Sequence, residues 1–183
     1  MRIITGKFGG RILNTVTGKG YRPAMSKTRE SLFSIIESLG INWDNISVMD
    51  LFAGSGSLAF ESLSRGVQKA TLVENDDNAV KNIEKNCNLL GVNDFCQVIN
   101  KDVIHYLKSS HSDSYNIVFV DPPYGLNILP KVLYLLSHKN WLVEGGLVIA
   151  EMEKSIDVPK MDNGNLIKER IFGQTRICIW EII

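Results

Sequence analysis

From Ile46 onward the chain alternates short apolar segments with helical ones, and this rhythm restricts the possible folds more than any other property of the sequence. Ile46 to Phe52, Lys69 to Glu74, Phe95 to Asn100 and Tyr115 to Asp121 are rich in β-branched or apolar residues and are separated by stretches with helical spacing. The clearest helix runs from about Asp76 to Leu90, with Ala79, Val80, Ile83, Cys87 and Leu90 on one face and Gly91 ending it. Such alternation predicts an α/β fold, a mostly parallel sheet covered by helices on both faces. The C-terminal end breaks the rhythm. Gly146 to Glu151 reads as a strand, and two further candidates, Leu166 to Phe172 and Arg176 to Ile182, flank the turn Gly173-Gln174, which predicts an antiparallel hairpin at the sheet edge.

The first forty residues follow another pattern. Arg2 to Ile4 and Arg11 to Leu13 are extended candidates around Gly6-Lys7-Phe8-Gly9-Gly10, which predicts a small β-hairpin with a basic tip. Ser26 is placed to cap a helix whose apolar positions Leu32, Phe33, Ile36 and Leu39 recur at helical spacing until Gly40. With no repeat and no linker, the expected organisation is a basic arm and helix over residues 1–40, packed on a main domain over residues 41–183.

Charge supports a special role for the arm. The first 29 residues carry Arg2, Lys7, Arg11, Lys19, Arg22, Lys27 and Arg29 and no acid, whereas the remainder carries 13 basic and 20 acidic residues. A cationic segment on an otherwise acidic chain suits phosphate contacts, because each Lys or Arg near a phosphate releases condensed counterions. A solvated basic tail would share that composition. Elsewhere the composition excludes rather than assigns. No apolar run approaches the roughly 20 residues that span a bilayer, and the N-terminus lacks the apolar stretch of a secretory signal, so a cytoplasmic location is expected. Cys87, Cys96 and Cys178 form no CxxC pair and have no clustered histidines, so neither disulfides nor a metal site is expected.

The segment Asp50-Leu51-Phe52-Ala53-Gly54-Ser55-Gly56-Ser57 lies between the first buried strand and the next helix. Its glycines let the backbone pass close under a ligand, and ligands of open α/β sheets sit at the carboxyl ends of the strands. A dinucleotide site calls for a third glycine, but Ser57, Leu58 and Ala59 follow Gly56. Asp50 beside the loop would also repel phosphate. The expectation is a nucleoside ligand without phosphate. Glu74, followed by Asn75 at the end of the second strand, is placed to accept from both hydroxyls of a ribose. Asp102, followed by Val103, is placed one strand later to accept from an adenine amine.

The fourth strand runs directly into Asp121-Pro122-Pro123-Tyr124. Two prolines fix φ twice and remove two donors, leaving a rigid turn with carbonyls free to accept. An acid, a carbonyl and an aromatic plane at one spot suit an amine on a flat heterocycle, whose delocalised lone pair makes it a poor nucleophile. Hydrogen bonds from the NH₂ to Asp121 and a proline carbonyl favour a tetrahedral nitrogen while Tyr124 stacks on the base. No Pro-Cys pair exists to attack a pyrimidine carbon.

The glycine loop and the Asp121 to Tyr124 turn together resemble those of amino-methyltransferases that use S-adenosylmethionine. More narrowly, Arg2-Ile3-Ile4-x-Gly6, Gly10-Arg11, Arg22-Pro23, Arg29-Glu30-Ser31-Leu32-Phe33 and Phe172-Gly173-Gln174 resemble the RsmD-type family of bacteria, along nearly the whole chain. The resemblance implies a Rossmann-like seven-stranded methyltransferase sheet and methylation of the N2 amine of a guanine in 16S ribosomal RNA. It implies that Asp50, Phe52, Ala53, Gly54, Ser55, Gly56, Glu74, Asn75, Asp102 and Val103 surround the cofactor. The loop Asp121, Pro122, Pro123 and Tyr124 would hold the target amine. Arg2, Lys7, Arg11, Arg22, Lys27 and Arg29 would guide RNA, in a partly or fully assembled small subunit met by a monomeric enzyme. Where the family often has threonine after the Arg-Pro pair, this chain has Ala24 and Met25. The alternatives are methylation of adenine in DNA or RNA, or of a protein glutamine amide, and a non-catalytic RNA-binding module.

Overall fold

Among the described residues, seven strands form one sheet, mostly parallel as expected from the alternation. The structure is a computed structural model and describes residues 1–15, 26–110 and 112–183. The strands are β1 (Ser47–Leu51), β2 (Lys69–Glu74), β3 (Cys96–Asn100), β4 (Tyr115–Val120), β5 (Leu142–Glu153), β6 (Gly164–Phe172) and β7 (Thr175–Ile182). The helices are α1 (Ser26–Ser38), α2 (Ser57–Arg65), α3 (Asp77–Leu90), α4 (Val103–Lys108) and α5 (Leu129–His138). The sheet order is β3-β2-β1-β4-β5-β7-β6; strands β1 to β5 pair in parallel, and β7 joins β5 antiparallel with β6 outside it.

The period of two along each strand divides the interior into two layers. Val48, Ile117, Phe119, Ile149 and Ile179 enter a core with Phe33, Ile36, Phe60 and Ile83 of α1, α2 and α3. Met49, Val118, Val120, Val148 and Trp180 enter the opposite core with Leu107, Val132, Leu133 and Trp141. Both faces of the central strands are therefore apolar, which is why β4 reads as an almost continuous hydrophobic run. Sequence and structure agree closely at α3, where Asp76 accepts from Ala79 N at 2.8 Å and Gly91 closes the C-terminus. Strand β5 begins at Leu142 rather than Gly146, because Tyr115 pairs with Leu142 before an irregularity restores the register at Ile117 and Leu147. The turn at Gly173-Gln174 joins β6 to β7 as expected.

The N-terminal hairpin is smaller than its sequence suggests. Arg2 and Ile12 form a single antiparallel bridge, supported by Ile3 N–H donating to Arg11 O at 3.0 Å and Gly10 N–H donating to Ile3 O at 2.9 Å. Its stability comes from docking. Ile3, Phe8 and Leu13 are buried in the α1–α2–α3 core. Glu61 of α2, fully buried, accepts from Ile4 N at 2.8 Å and Thr5 N at 3.1 Å. Ser64 accepts from Phe8 N through its hydroxyl, and a Cβ at Gly6 would collide with the Ser64 carbonyl. The helix cap expected at Ser26 rests on a side chain outside the described residues. Among the described residues no helix is long and apolar enough to cross a membrane.

Candidate active site

The carboxyl ends of β1, β2, β4 and β5 converge on one edge of the sheet. Asp50 lies near the end of β1, only 2% exposed, and its carboxylate accepts from Ala59 N at 3.2 Å, which ties the strand to the first turn of α2. Burial pushes the Asp50 carboxyl up to about 8; the Ala59 bond opposes the shift and the charge of Glu74 adds to it. The loop that follows is tightly held. Phe52 has φ 63, a left-handed conformation unusual for an aromatic residue. Gly56 also has positive φ, and a Cβ there would come within 2.6 Å of Phe60 and 2.8 Å of Leu72. Only glycine fits under this loop.

Glu74 closes the loop from the neighbouring strand. One carboxylate oxygen accepts from Gly54 N at 2.8 Å, and the other accepts from Asn75 N at 2.8 Å and Asp76 N at 2.9 Å. This carboxylate serves the backbone with both oxygens. Asp102 is exposed and caps α4, accepting from His105 N at 2.8 Å through Oδ1. Val103 is buried behind it and Asn75 is exposed. Ala53 is buried, while Gly54 and Ser55 are half-buried.

Asp121 follows β4 and faces this loop from the adjacent strand, with its N–H directed at Leu51 O. Pro122 is buried, Pro123 exposed and Tyr124 half-buried. The Tyr124 hydroxyl shares a 2.7 Å hydrogen bond with Thr175 and lies 3.5 Å from Glu151 Oε1. Gly125 N–H donates to Glu153 at 2.9 Å. The turn expected to be stiff from its prolines is thus also anchored to β5 and β7. Pro122, Pro123 and Tyr124 line a cleft whose other wall includes Met152, Ile156 and Pro159. A smaller depression beside it reaches Asp121 past Leu32 of α1 and Leu58 of α2.

Withdrawal from water raises Asp121 well above the usual carboxylate range, reinforced by Glu151 and then Asp50. Glu151 is raised by burial against the opposing hydrogen bonds of Tyr124 and Thr175. No Lys, Arg or His lines the cleft or the depression among the described residues, whereas Glu151, Glu153 and Asp157 do. Such a surface repels phosphate and accepts amines or cations. The described acids do not form a group suited to hold a metal ion. A ligand with a positive centre, a diol and an aromatic amine fits these donors and acceptors.

The structure sorts the basic candidates. Arg2, Lys7, Arg11 and Lys27 are exposed. Lys7 and Arg11 flank the Phe8 ring at 5.4 and 5.8 Å, and Arg11 also donates to Leu89 O at 3.2 Å. Arg22 lies outside the described residues. Arg29 corrects the sequence reading: it is 2% exposed, donates to Arg2 O at 2.6 Å, and cannot present its charge to a surface ligand. Burial lowers its pKa while Glu61 opposes that shift. Its spacing to Leu32, Phe33 and Ile36 puts it on the buried stripe of α1. Sequence reasoning passed over Glu151, Thr175 and Asn86. Fully buried Asn86 accepts from Asn14 N at 2.8 Å and donates to Asn14 O at 3.0 Å and Ser55 O at 3.5 Å, joining the arm to the glycine loop.

A family model described as Conserved hypothetical protein 95 matches residues 1–181. Ribosomal RNA small subunit methyltransferase D of Haemophilus influenzae is 33% identical, over 94% of this chain and 89% of its own length. The Escherichia coli protein of the same name is 32% identical, over 99% of this chain and 89% of its own. Among solved structures, the putative methyltransferase yhhF from Escherichia coli superposes with a TM-score of 0.86 at 32% identity, covering 100% of this chain and 97% of that one. The chain has the α/β methyltransferase fold and belongs to the family described as Conserved hypothetical protein 95, the RsmD-type family to which its motifs point.

Proposed function

We propose that the chain transfers a methyl group from S-adenosylmethionine to the exocyclic N2 amine of a guanine in small-subunit ribosomal RNA. The observation that carries this reading is the placement of Asp121 and its Pro-Pro-Tyr turn on the strand beside the glycine loop, with the Asp121 N–H directed at Leu51 O, next to a cleft lined by acids and no described cation. The family supports the acceptor, since two relatives are named for small-subunit ribosomal RNA.

Bound S-adenosylmethionine supplies a methyl group on a positive sulfonium. The residues of the chain do the rest by orientation and charge. The glycine loop receives the nucleoside, Glu74 accepts from its ribose hydroxyls, and the uncapped oxygen of Asp102 accepts from its adenine amine. Asp121 Oδ accepts a hydrogen bond from the target NH₂, which favours a tetrahedral nitrogen with its lone pair turned out of the ring's conjugation, and takes that proton as the nitrogen gains the methyl group. A positive ligand beside Asp50 and Asp121 favours their ionised forms, so filling the site makes Asp121 an acceptor. Tyr124 walls the base while its hydroxyl stays on Thr175. Exposed Arg2, Lys7, Arg11 and Lys27 contact phosphates, and the acidic cleft leaves the backbone outside. The same reading takes the enzyme to be a cytoplasmic monomer and the RNA to be folded within a small subunit.

Incubation with tritiated S-adenosylmethionine and either 30S subunits or naked 16S RNA lacking the modification, followed by digestion to nucleosides, tests the proposal. Label in N2-methylguanosine is expected. Label in N6-methyladenosine would move the acceptor to adenine, and label in protein or in none of these would refute the assignment.

A further inference from the structure

Glu151 has no role in the reaction described above, yet it stands next to Asp121. The parallel register Phe119↔Ile149 and Val120↔Ala150 continues to these two acids at the ends of β4 and β5. Phe119 and Ile149 both enter the α1–α2 core, so Asp121 and Glu151, two residues further on, leave their strands toward that same face. Among the described residues, Glu151 alone lines both the Tyr124 cleft and the depression that contains Asp121. Its position is held from two sides, by Tyr124 at 3.5 Å and by Thr175 of β7.

The surroundings leave the pair electrostatically uncompensated. Asp50 faces it from β1, Glu153 from β5, and Asp157 from the segment beyond. Leu32 and Leu58 face it from α1 and α2, and Leu129 and Pro130 from α5. The cations nearest to it do not offset the charge: Lys154, three residues on, is exposed and lines neither the cleft nor the depression, and Arg176 of β7 is turned away, donating to Ile156 O and Lys154 O and pairing with Glu169. Two carboxyls so placed cannot both ionise as easily as either one alone.

We propose that Glu151 is a positioning residue for the methyl transfer proposed above, and that its charge sets the pH at which Asp121 changes from proton donor to proton acceptor. Before the site fills, the pair retains a proton and Asp121 can donate. When a cation occupies the cleft the proton leaves to solvent, and Asp121 is then free to take one from the target amine. Glu151 touches neither the amine nor the methyl group. The device rests on the proposed reaction for its purpose, but the pairing itself follows from the register of β4 and β5.

The test is carboxyl ¹³C NMR titration of the ligand-free full-length protein, comparing wild type, Glu151→Gln and Glu151→Asp. Removal of the neighbouring charge in Glu151→Gln is expected to lower the Asp121 midpoint by about one pH unit or more. The acid limb of the pH–kcat profile should move the same way. Glu151→Asp keeps the charge and should restore a midpoint near wild type. A role limited to shape or hydrogen bonding predicts the reverse ranking, because Gln is the closer isostere, and that ranking would overturn the proposal. Should Glu151→Gln fail to fold, the wild-type titration decides: coupled carboxyls each report both midpoints, and a single independent Asp121 midpoint overturns the proposal. Since the titration uses no substrate, an error in the assigned acceptor would appear in the nucleoside analysis and not here.

Discussion

Replacing Glu74 by Gln exchanges one acceptor oxygen for an amide donor while keeping the side chain's volume. In the native protein the two oxygens of this 7% exposed side chain accept from three backbone N–H groups, at Gly54, Asn75 and Asp76. The amide can be oriented to spare the Asn75 and Asp76 bonds, in which case it faces the Gly54 N–H donor to donor. One charge-assisted bond is then lost, at about 1.5–3 kcal/mol, and two become neutral bonds of about 0.5–1.5 kcal/mol. Against this, Asp50 loses a repulsive neighbour. The balance is a destabilisation of about 2–3 kcal/mol, within the roughly 5–15 kcal/mol that domains possess. Urea unfolding followed by the fluorescence of Trp43, Trp141 and Trp180 should show a midpoint lowered by about 1 M with an unchanged slope. Isothermal titration should show weaker S-adenosylmethionine binding in the same variant. A midpoint within about 0.3 M of wild type, with cofactor affinity intact, would refute the argument that Glu74 holds the loop.

Asp121→Ala should reduce methyl transfer by roughly a hundredfold or more, a larger loss than that in cofactor affinity, by analogy with removal of a preorganised polar contact; full turnover in the variant would remove Asp121 from the mechanism. Asp50 imposes a pH dependence on stability. Its folded value of about 8 exceeds the unfolded carboxylate value, so the native state binds more protons between about pH 4 and pH 8 and stability falls as pH rises through that window. Asp50→Asn should remove this contribution, and chemical denaturation at pH 5 and pH 8 would show an undiminished difference if the assignment were wrong. Lys7→Glu or Arg11→Glu should lower both RNA affinity and its salt slope, whereas Arg29→Met should leave the slope unchanged because Arg29 is buried. A reduced slope for Arg29→Met would contradict its burial.

The central fold was legible because two-sided burial leaves a local signature. Strands β1, β2 and β4 are short apolar runs, and α3 carries both its cap and its terminator within its own sequence. The edge of the sheet was less distinct, since β5 passes through Gly145 and Gly146 and extends upstream of them. Arg29 was misread because a basic residue in a basic arm suggests solvent. Its spacing to Leu32, Phe33 and Ile36 held the contrary signal. Glu151 had the same strand-end position that singled out Glu74 and Asp121, and applying the rule to the fifth strand would have found it. Asn86 gave no such sign. Its partners Asn14 and Ser55 are 72 and 31 residues away, and only the folded chain brings them together.

The docking of the arm also has a temporal side. Glu61, Ser64 and Asn86 hold residues 56 to 72 positions earlier in the chain. At synthesis rates of about 5–20 residues per second, these residues wait about 3–14 s before the side chains that receive them exist. The hairpin has one bridge of its own, so during this interval it has little to fold against. The arm, made before its partners, is therefore completed after α2 and α3, and becomes a defined surface only once the glycine loop beside it has been built.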